Sequence, residues 1–263
     1  MDHRGIITIG ERIYAAEKNA VPTGRLSRTN PELNSIEAYQ IQLAQAELRQ
    51  ADGQTVIGKK IGLTSLAVQK AMGLNEPDYG HIFDVHLTGQ DTPLRSTALV
   101  TPQVEAEIAF ILKRDLSGPG VTEASVLAAT EGLMASLEIV DSRYEGGMEG
   151  ITLCDSIADN ASLGRVVLGS RLVTAKDLDL RTIGMVLEKN GQPAAFGVSA
   201  AVMGSPAASV AWLANKLAAF GLNLKAGEII LSGSFTSFIP AGPGDNFSAH
   251  FGSHLGSVKV GFV

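Results

Sequence analysis

The sequence predicts an α+β fold, and three features carry that expectation. Two amphipathic helical patterns precede anything strand-like. The stretch Thr101–Leu112 alternates with period two and places two glutamates on one face. The last third returns to short apolar runs punctuated by Asn-Gly, Ser-Gly and single glycines, as a β-rich region with few helices does. The expected division is a helical region over residues 1–54 and a β-rich domain over residues 55–263.

Ile6, Ile9, Ile13 and Ala16 share a stripe, with Glu11, Arg12 and Lys18 elsewhere, so residues 6–20 are expected to form a helix that buries that stripe. Val21 to Pro31 contains Pro, Gly, Ser and Asn and reads as a loop. Asn34 and Glu37 have capping-box spacing. Tyr39, Leu43 and Ala46 then supply the apolar face of a second helix that ends near Asp52-Gly53. Thr55–Thr64 follows as a strand through Val56, Ile57 and Ile61, with Gly58 and Gly62 permitting close backbone approach. Lys60 lies between apolar neighbours. There it is either a side chain reaching for solvent or a buried ammonium facing an anion. Ser65–Met72 reads as a short helix closed by Gly73, and Asn75–Gly80 as a turn containing Asp78. His81 and His86 read as surface or packing histidines.

Within Thr101–Leu112, Val104, Ala106, Ile108 and Phe110 alternate with Glu105, Glu107 and Ala109. Both carboxylates therefore project from one face and the apolar side chains from the other. Neighbouring carboxylates repel, and protonation, a cationic partner or a divalent metal relieves the repulsion. Glu138 interrupts the apolar run Ala135–Asp141 and offers a third carboxylate from another strand. Such an all-oxygen set suits Mg2+ or Mn2+. A solvated acidic sheet face has the same pattern.

Beyond the loop Leu116–Gly120, Thr122 opens a helix expected to run through Val126, Ala129 and Leu133. Ser142–Gly150, polar and glycine-containing, is a candidate mobile loop. Asp159–Ser162 suits turn or ligand-contact duty. Arg165–Gly169 and Ile183–Glu188 look like strands, and Asn190-Gly191 signals a tight turn from the second into Ala194–Val198. Ser205 and Pro206 occupy the N-cap and first position of a helix that buries Val210, Leu213, Ala214 and Leu217 and ends before Gly221. Lys225–Glu228 turns into the strand Ile229–Leu231, and the small residues and amides of Ser232–Ser237 can hold a carboxylate. Asp245–Val263 reads as two strands joined near Gly252–Gly256. His250 and His254 lack metal-ligand spacing.

The 263 residues allow one large domain or a domain with a small appendage. A formal charge of −6 and the lack of a clustered Lys/Arg face argue against nucleic-acid binding. Cys154 is the single cysteine, which leaves no intrachain disulfide. The start Met-Asp-His-Arg-Gly lacks the apolar core of a signal peptide, and no apolar run is long enough to span a bilayer. A cytoplasmic protein without membrane contact is the expectation.

Ile57–Ser65, Glu76–Gly80, Val104–Glu107, Leu137–Asp141, Ala158–Ser162 and Leu231–Ser234 occur in that order. As a set, across nearly the whole chain, they resemble the 2-oxopent-4-enoate (2-hydroxypenta-2,4-dienoate) hydratase / 4-oxalocrotonate decarboxylase family of the fumarylacetoacetate hydrolase superfamily. The resemblance implies a mixed β-roll with an N-terminal helical region. It implies a divalent metal, Mg2+ or Mn2+, held by Glu105, Glu107 and Glu138, and a 2-oxo acid that chelates it. Lys60 matches a lysine of the same site. Asp78 matches a hydratase feature at a position where decarboxylase relatives tend to carry an apolar residue. Val140–Glu145 and Asp179–Gly191 look at least as much like the decarboxylase branch. Ser162 and Ser234 are candidate substrate contacts.

The function so implied is addition of water to a 2-hydroxy-2,4-dienoate in the meta-cleavage catabolism of aromatics, with Lys60 and Asp78 catalytic and a 4-hydroxy-2-oxo acid as product. The alternative within the family is decarboxylation of a 2-oxo-hex-3-enedioate (4-oxalocrotonate). That needs contacts for a distal carboxylate, with Arg143 and Lys59 as candidates. A hydrolase of acylpyruvates ranks below both, because no His/Glu water-activating pair stands out in the N-terminal region. A non-catalytic partner subunit or small-acid-binding module is the reading from a different class. The resemblance also implies a homo-oligomer and a complex with the sister decarboxylase or hydratase.

Overall fold

The computed structural model describes residues 1–263 apart from Gly73, Asn75 and Asp177 and the side chains of Ala71 and Met72. The helix stop expected at Gly73 and the turn start at Asn75 lie outside the described residues.

Helix α1 (His3–Asn19) buries Ile6, Ile9, Ile13 and Ala16, and Asp2 caps its first turn through the Gly5 amide. A short helix α2 (Leu26–Thr29) interrupts the expected loop. Helix α3 (Ser35–Ala51) starts at a reciprocal cap, in which the Glu37 amide donates to Asn34 Oδ1 and the Asn34 amide to Glu37 Oε2. Its buried face also carries polar side chains that the apolar stripe does not show: Gln42, Gln45 and Arg49. Gln42 Nε2 donates to the carbonyls of Tyr79 and Ile157, both at 2.8 Å, and Gln45 Nε2 to that of Ala158 at 2.6 Å. Each amide satisfies a buried carbonyl that would otherwise cost about 1–3 kcal/mol. Two glutamines thereby fasten the helical region to the sheet.

Strand β1 (Val56–Gly62), helix α4 (Leu66–Met72), strand β2 (Asp78–Phe83) and the short β3 (Leu87–Thr88) follow. Asp78 opens a strand rather than sitting in a turn, because its backbone is paired opposite Gly62. Strand β4 (Pro102–Leu112), helix α5 (Glu123–Ala129), strand β5 (Thr130–Asp141), helix α6 (Leu153–Ala158) and strand β6 (Leu163–Leu168) come next. The helix expected through Leu133 stops at Ala129. Thr130 Oγ1 donates to the Val126 carbonyl there, and Leu133, Ala135, Leu137 and Ile139 then alternate into the core with period two. The chain continues with β7 (Gly184–Lys189), β8 (Gln192–Val198), α7 (Pro206–Ala218), β9 (Ile229–Ser234), β10 (Ile239–Pro240), β11 (Asn246–Phe251) and β12 (Gly256–Gly261).

An eight-stranded sheet runs β2-β1-β9-β4-β5-β6-β3, with β10 on β4; β1·β9 and β3·β6 are parallel pairs. A four-stranded sheet, β12-β11-β7-β8, packs through β11 and β12 against β5. Val104, Ala106, Ile108 and Phe110 of β4 enter one core with Phe247, Ala249, Val258 and Val260 of the smaller sheet and Val210, Leu213 and Leu217 of α7. Each large side chain buried there stabilises by roughly 1.5–3 kcal/mol. The result is a mixed β-roll wrapped around its core, with the polar residues of β4 on the opposite face. Among the described residues no helix is long and apolar enough to cross a membrane.

The start of Ser142–Gly150 is not a free loop. Arg143 is fully buried; its Nε donates to Asp159 Oδ1 and its Nη1 to the carbonyls of Asp141 and Leu163, all at 2.7 Å, and its Nη2 to the Asp159 carbonyl. Glu17 of α1 pairs with Arg49 and lies 3.5 Å from His86 Nε2, so the fold does bring a His/Glu pair together from the N-terminal region. His86 is wholly buried beside that pair.

His81 is buried too, with Nδ1 3.0 Å from Gln42 Oε1. The Gln42 amide nitrogen is engaged with two carbonyls, so its oxygen accepts and Nδ1 carries the hydrogen of a neutral imidazole. Burial, and then the nearby Lys59, push the His81 pKa down to about 3. An unfolded histidine titrates near pH 6.5, so the stability His81 contributes is present above that value and is lost as pH falls towards 3. The expected loss is about 2 kcal/mol between about pH 7.5 and about pH 5. His81→Gln should flatten this dependence in urea titrations at the two pH values; an unaltered slope would place the acid sensitivity elsewhere.

Candidate active site

Period two puts Glu105 and Glu107 on the same face of β4, and the antiparallel register sets Glu138 of β5 directly opposite Glu105. One carboxylate oxygen from each of the three lies within 4.8 Å of the others. Glu107 and Glu138 are buried and Glu105 is half-buried. Burial first, then mutual repulsion, push the pKa values of Glu105 and Glu107 upward. Burial does the same at Glu138 against the pull of Lys60. Neither carboxylate oxygen of Glu138 has a hydrogen-bond partner. Three converging carboxylates with only the Lys60 ammonium and the Gly233 amide beside them fit an oxygen-coordinated divalent cation.

Glu107 is held by a break in its own ladder. Beside it the β4·β9 register shifts from Glu107↔Ser234 to Ala109↔Leu231, one extra residue on β9. The bulge contains Gly233 at φ +108°, which directs the Gly233 amide onto Glu107 Oε2 at 2.8 Å. A side chain at Gly233 would also meet Thr64, with Oγ1 2.2 Å from the position of a Cβ.

Lys60 is the buried ammonium, not a solvent-reaching side chain. Its Nζ donates to the Ala161 carbonyl at 2.9 Å and makes an ion pair with Glu138 Oε1, also at 2.9 Å, outside hydrogen-bond angles. Burial opposes its charge, but Glu138, Asp78 and Glu107 outweigh burial and raise its pKa. Asp78 stands on the neighbouring strand, paired with Gly62 two residues along β1 from Lys60, so both side chains share a face. Ser156 Oγ donates to Asp78 Oδ2 at 2.6 Å, while Asp78 Oδ1 is buried without a partner. Burial raises the Asp78 pKa against Lys60 and Ser156. Gly62 leaves the room this requires: a Cβ there would lie 2.3 Å from Asp78 Oδ1 and 3.4 Å from Lys60 Nζ.

The carbonyl that receives Lys60 comes from an unusual turn. Asn160, Ala161 and Ser162 all have positive φ, at 52°, 50° and 53°. Such a run is unfavourable for residues with a Cβ and persists only where its surroundings over-determine it. Asn160 does so by clamping the His81 backbone, accepting from its amide at 2.7 Å and donating to its carbonyl at 2.9 Å. Asp159, fixed by Arg143, accepts from Ser162 Oγ at 2.9 Å.

A cavity of about 570 Å³ joins these groups; Lys60, Asp78, Glu105, Ser156, Ala161 and Ser234 are in its wall. Of the two serines expected to contact substrate, Ser234 is in the wall, with its hydroxyl bonded to the backbone of Thr236. Ser162 is buried behind the wall on Asp159. Arg143 and Lys59, the candidates for a distal carboxylate, are engaged elsewhere, Arg143 with Asp159 and Lys59 with Glu228 at 2.6 Å. Sequence reasoning missed Ser156 and the Ala161 carbonyl, whereas the Gly233 amide lies in Ser232–Ser237, the stretch expected to hold a carboxylate, and the carboxylate it holds is that of Glu107. Backbone groups leave no residue-type signal, and Ser156 lies two residues before the motif Ala158–Ser162.

The family model for the fumarylacetoacetate (FAA) hydrolase C-terminal region matches residues 65–263. A Comamonas testosteroni protein named 2-hydroxyhexa-2,4-dienoate hydratase is 46% identical over 248 residues, which is 94% of this chain and 93% of the relative. The 4-oxalocrotonate decarboxylase of Pseudomonas sp. strain CF600 is 38% identical over 258 residues, 98% of this chain and 97% of the relative. The solved structure of 4-oxalocrotonate decarboxylase from Pseudomonas putida G7, complexed with magnesium and adipate, superposes with a TM-score of 0.96 at 36% identity, covering 100% of this chain and 99% of that one.

Glu107→Gln keeps an acceptor for the Gly233 amide but removes a charge from the cluster. It should weaken Mg2+ or Mn2+ binding by calorimetry at least about tenfold with an unchanged circular dichroism spectrum. Undiminished affinity would remove Glu107 from the ligand set. Gly62→Ala should displace Asp78 and lower turnover while leaving metal affinity within about threefold; full turnover would show that Asp78 tolerates the shift.

Proposed function

The chain belongs to the fumarylacetoacetate hydrolase family, and we propose that it is a lyase that adds water to a 2-hydroxy-2,4-dienoate to give a 4-hydroxy-2-oxo acid. The observation that carries this reading is Asp78: a buried carboxylate in the same cavity as the glutamate cluster, with one oxygen bonded to Ser156 and the other free. Hydration needs a group that orients or deprotonates water, whereas loss of CO2 needs only an electron sink.

Glu105, Glu107 and Glu138 would hold the divalent cation, Mg2+ or Mn2+, and the hydratase names of relatives 46% identical support a dienoate substrate. When bound, the cation supplies Lewis-acid polarisation of the 2-oxo acid end. The remaining chemistry falls to this chain's side chains. The 2-hydroxyl loses its proton as C5 gains one, giving the 2-oxo-3-enoate. Water then delivers OH to C4 and H to C3. Lys60, fixed by Ala161 and Glu138, places a positive charge beside the end where negative charge accumulates. Asp78 Oδ1 is the acceptor positioned to take the proton from water, with Ser156 keeping Oδ2 in place.

Decarboxylation of 2-oxo-hex-3-enedioate is the second reading. It is favoured by the 38% identity to a 4-oxalocrotonate decarboxylase and the likeness to a solved one at a TM-score of 0.96. Protein assayed with Mg2+ should remove the dienol chromophore of 2-hydroxypenta-2,4-dienoate and form 4-hydroxy-2-oxopentanoate without releasing CO2 from the enedioate. CO2 release without hydration would replace the hydratase reading with the decarboxylase. Asp78→Asn should lower kcat for hydration about 100-fold or more, with metal affinity within about threefold of the parent; normal hydration by this variant would remove Asp78 from the chemistry.

A further inference from the structure

We infer that the far end of the substrate is a short uncharged hydrocarbon, and that the wall formed by Leu63, Val68, Val140, Met148, Phe235 and Phe238 selects against a second carboxylate. This rests on the reading above that the glutamate cluster receives the 2-oxo acid end.

Among the described residues Lys60 is the only cation in the cavity wall, and it is engaged by the Ala161 carbonyl and Glu138. The other charged groups in the wall, Asp78 and Glu105, are carboxylates. An incoming dianion therefore finds one counter-charge, already next to the cluster, and no second one for its tail. Arg143 and Lys59 cannot turn inward without breaking the buried pairs with Asp159 and Glu228.

Hydroxyls do face the space, that of Thr236 without a hydrogen-bond partner, but all are neutral and several are engaged. Ser65 Oγ accepts from the Val68 amide at 3.4 Å, and Ser234 Oγ donates to the Thr236 carbonyl. The rest of the wall is hydrocarbon from four separate segments of the chain: Leu63 and Val68, Val140, Met148, and Phe235 with Phe238. Apolar surface gains from covering a methyl or ethyl tail, whereas a carboxylate placed there loses its water and finds no counter-charge. A wall of this kind discriminates weakly between tails differing by one methylene and strongly against a charge.

The test compares two substrates on the Mg2+-loaded protein, 2-hydroxyhexa-2,4-dienoate and 2-hydroxyhepta-2,4-dienedioate. The expected kcat/KM ratio is about 100-fold in favour of the monoacid. A ratio below about tenfold, with the monoacid hydrated, would overturn the inference and leave the hydratase reading standing. Hydration of neither would overturn the hydratase reading, and the inference with it. Val68 is 42% exposed, so a longer side chain there is tolerable to the fold. Val68→Lys places a cation at the wall and should narrow the ratio about fivefold or more, through the KM of the diacid. An unchanged ratio in a folded V68K would overturn the assignment of Val68 to the selecting wall.

Discussion

Three carboxylates that would drift apart in water are held within 4.8 Å of one another on one face of a sheet, and one ammonium answers them. At such distances repulsion in a partly buried site amounts to several kcal/mol. Backbone register enforces the cluster: Glu138 stands opposite Glu105, and the β4·β9 bulge brings an amide to Glu107. With Asp78 nearby, four carboxyl groups face a single ammonium.

The groups that tune this centre are themselves over-determined. Lys60 is held by a carbonyl from a left-handed turn, that turn is held by Asn160 and Asp159, and Asp159 is held by a wholly buried arginine. Glu17 of the N-terminal helix lies 4.0 Å from the same arginine, while Gln42 and Gln45 bind the carbonyls of β2 and α6. The helical region is thus part of the scaffold that sets the geometry of the site, although among the described residues none of its side chains is in the cavity wall.

Much of this was legible in residue order. The stripes of α1 and α3, the Asn34–Glu37 cap, the period-two strand with two glutamates and the Asn190-Gly191 hairpin all follow from short-range rules, and the chain obeys them. The opaque parts were those decided at long range. Leu133 left its expected helix because β5 needed it in the core. Ser142–Tyr144 is buried because Arg143 found Asp159, and Asp78 became a strand residue because it pairs with Gly62. Ser162, offered as a substrate contact on motif grounds, faces Asp159, while the carbonyl of its neighbour Ala161 reaches Lys60. Composition says nothing about a backbone carbonyl.

The parallel pairing of β1 with β9 carries a consequence for how the protein is made. Lys60 stands beside Leu231, and Glu107 waits for the amide of Gly233. A ribosome therefore releases the lysine, the aspartate and all three glutamates long before the strand that locks them together. At about 5–20 residues per second, the interval is on the order of ten seconds. Throughout it the sheet edge formed by β1 and β4 lacks the strand that belongs between them. Parallel, non-local pairing of this kind closes slowly. The nascent chain is thus most exposed to mispairing during that interval, and truncation between Glu138 and Gly233 removes the strand that orders the cluster while leaving all three glutamates in the chain.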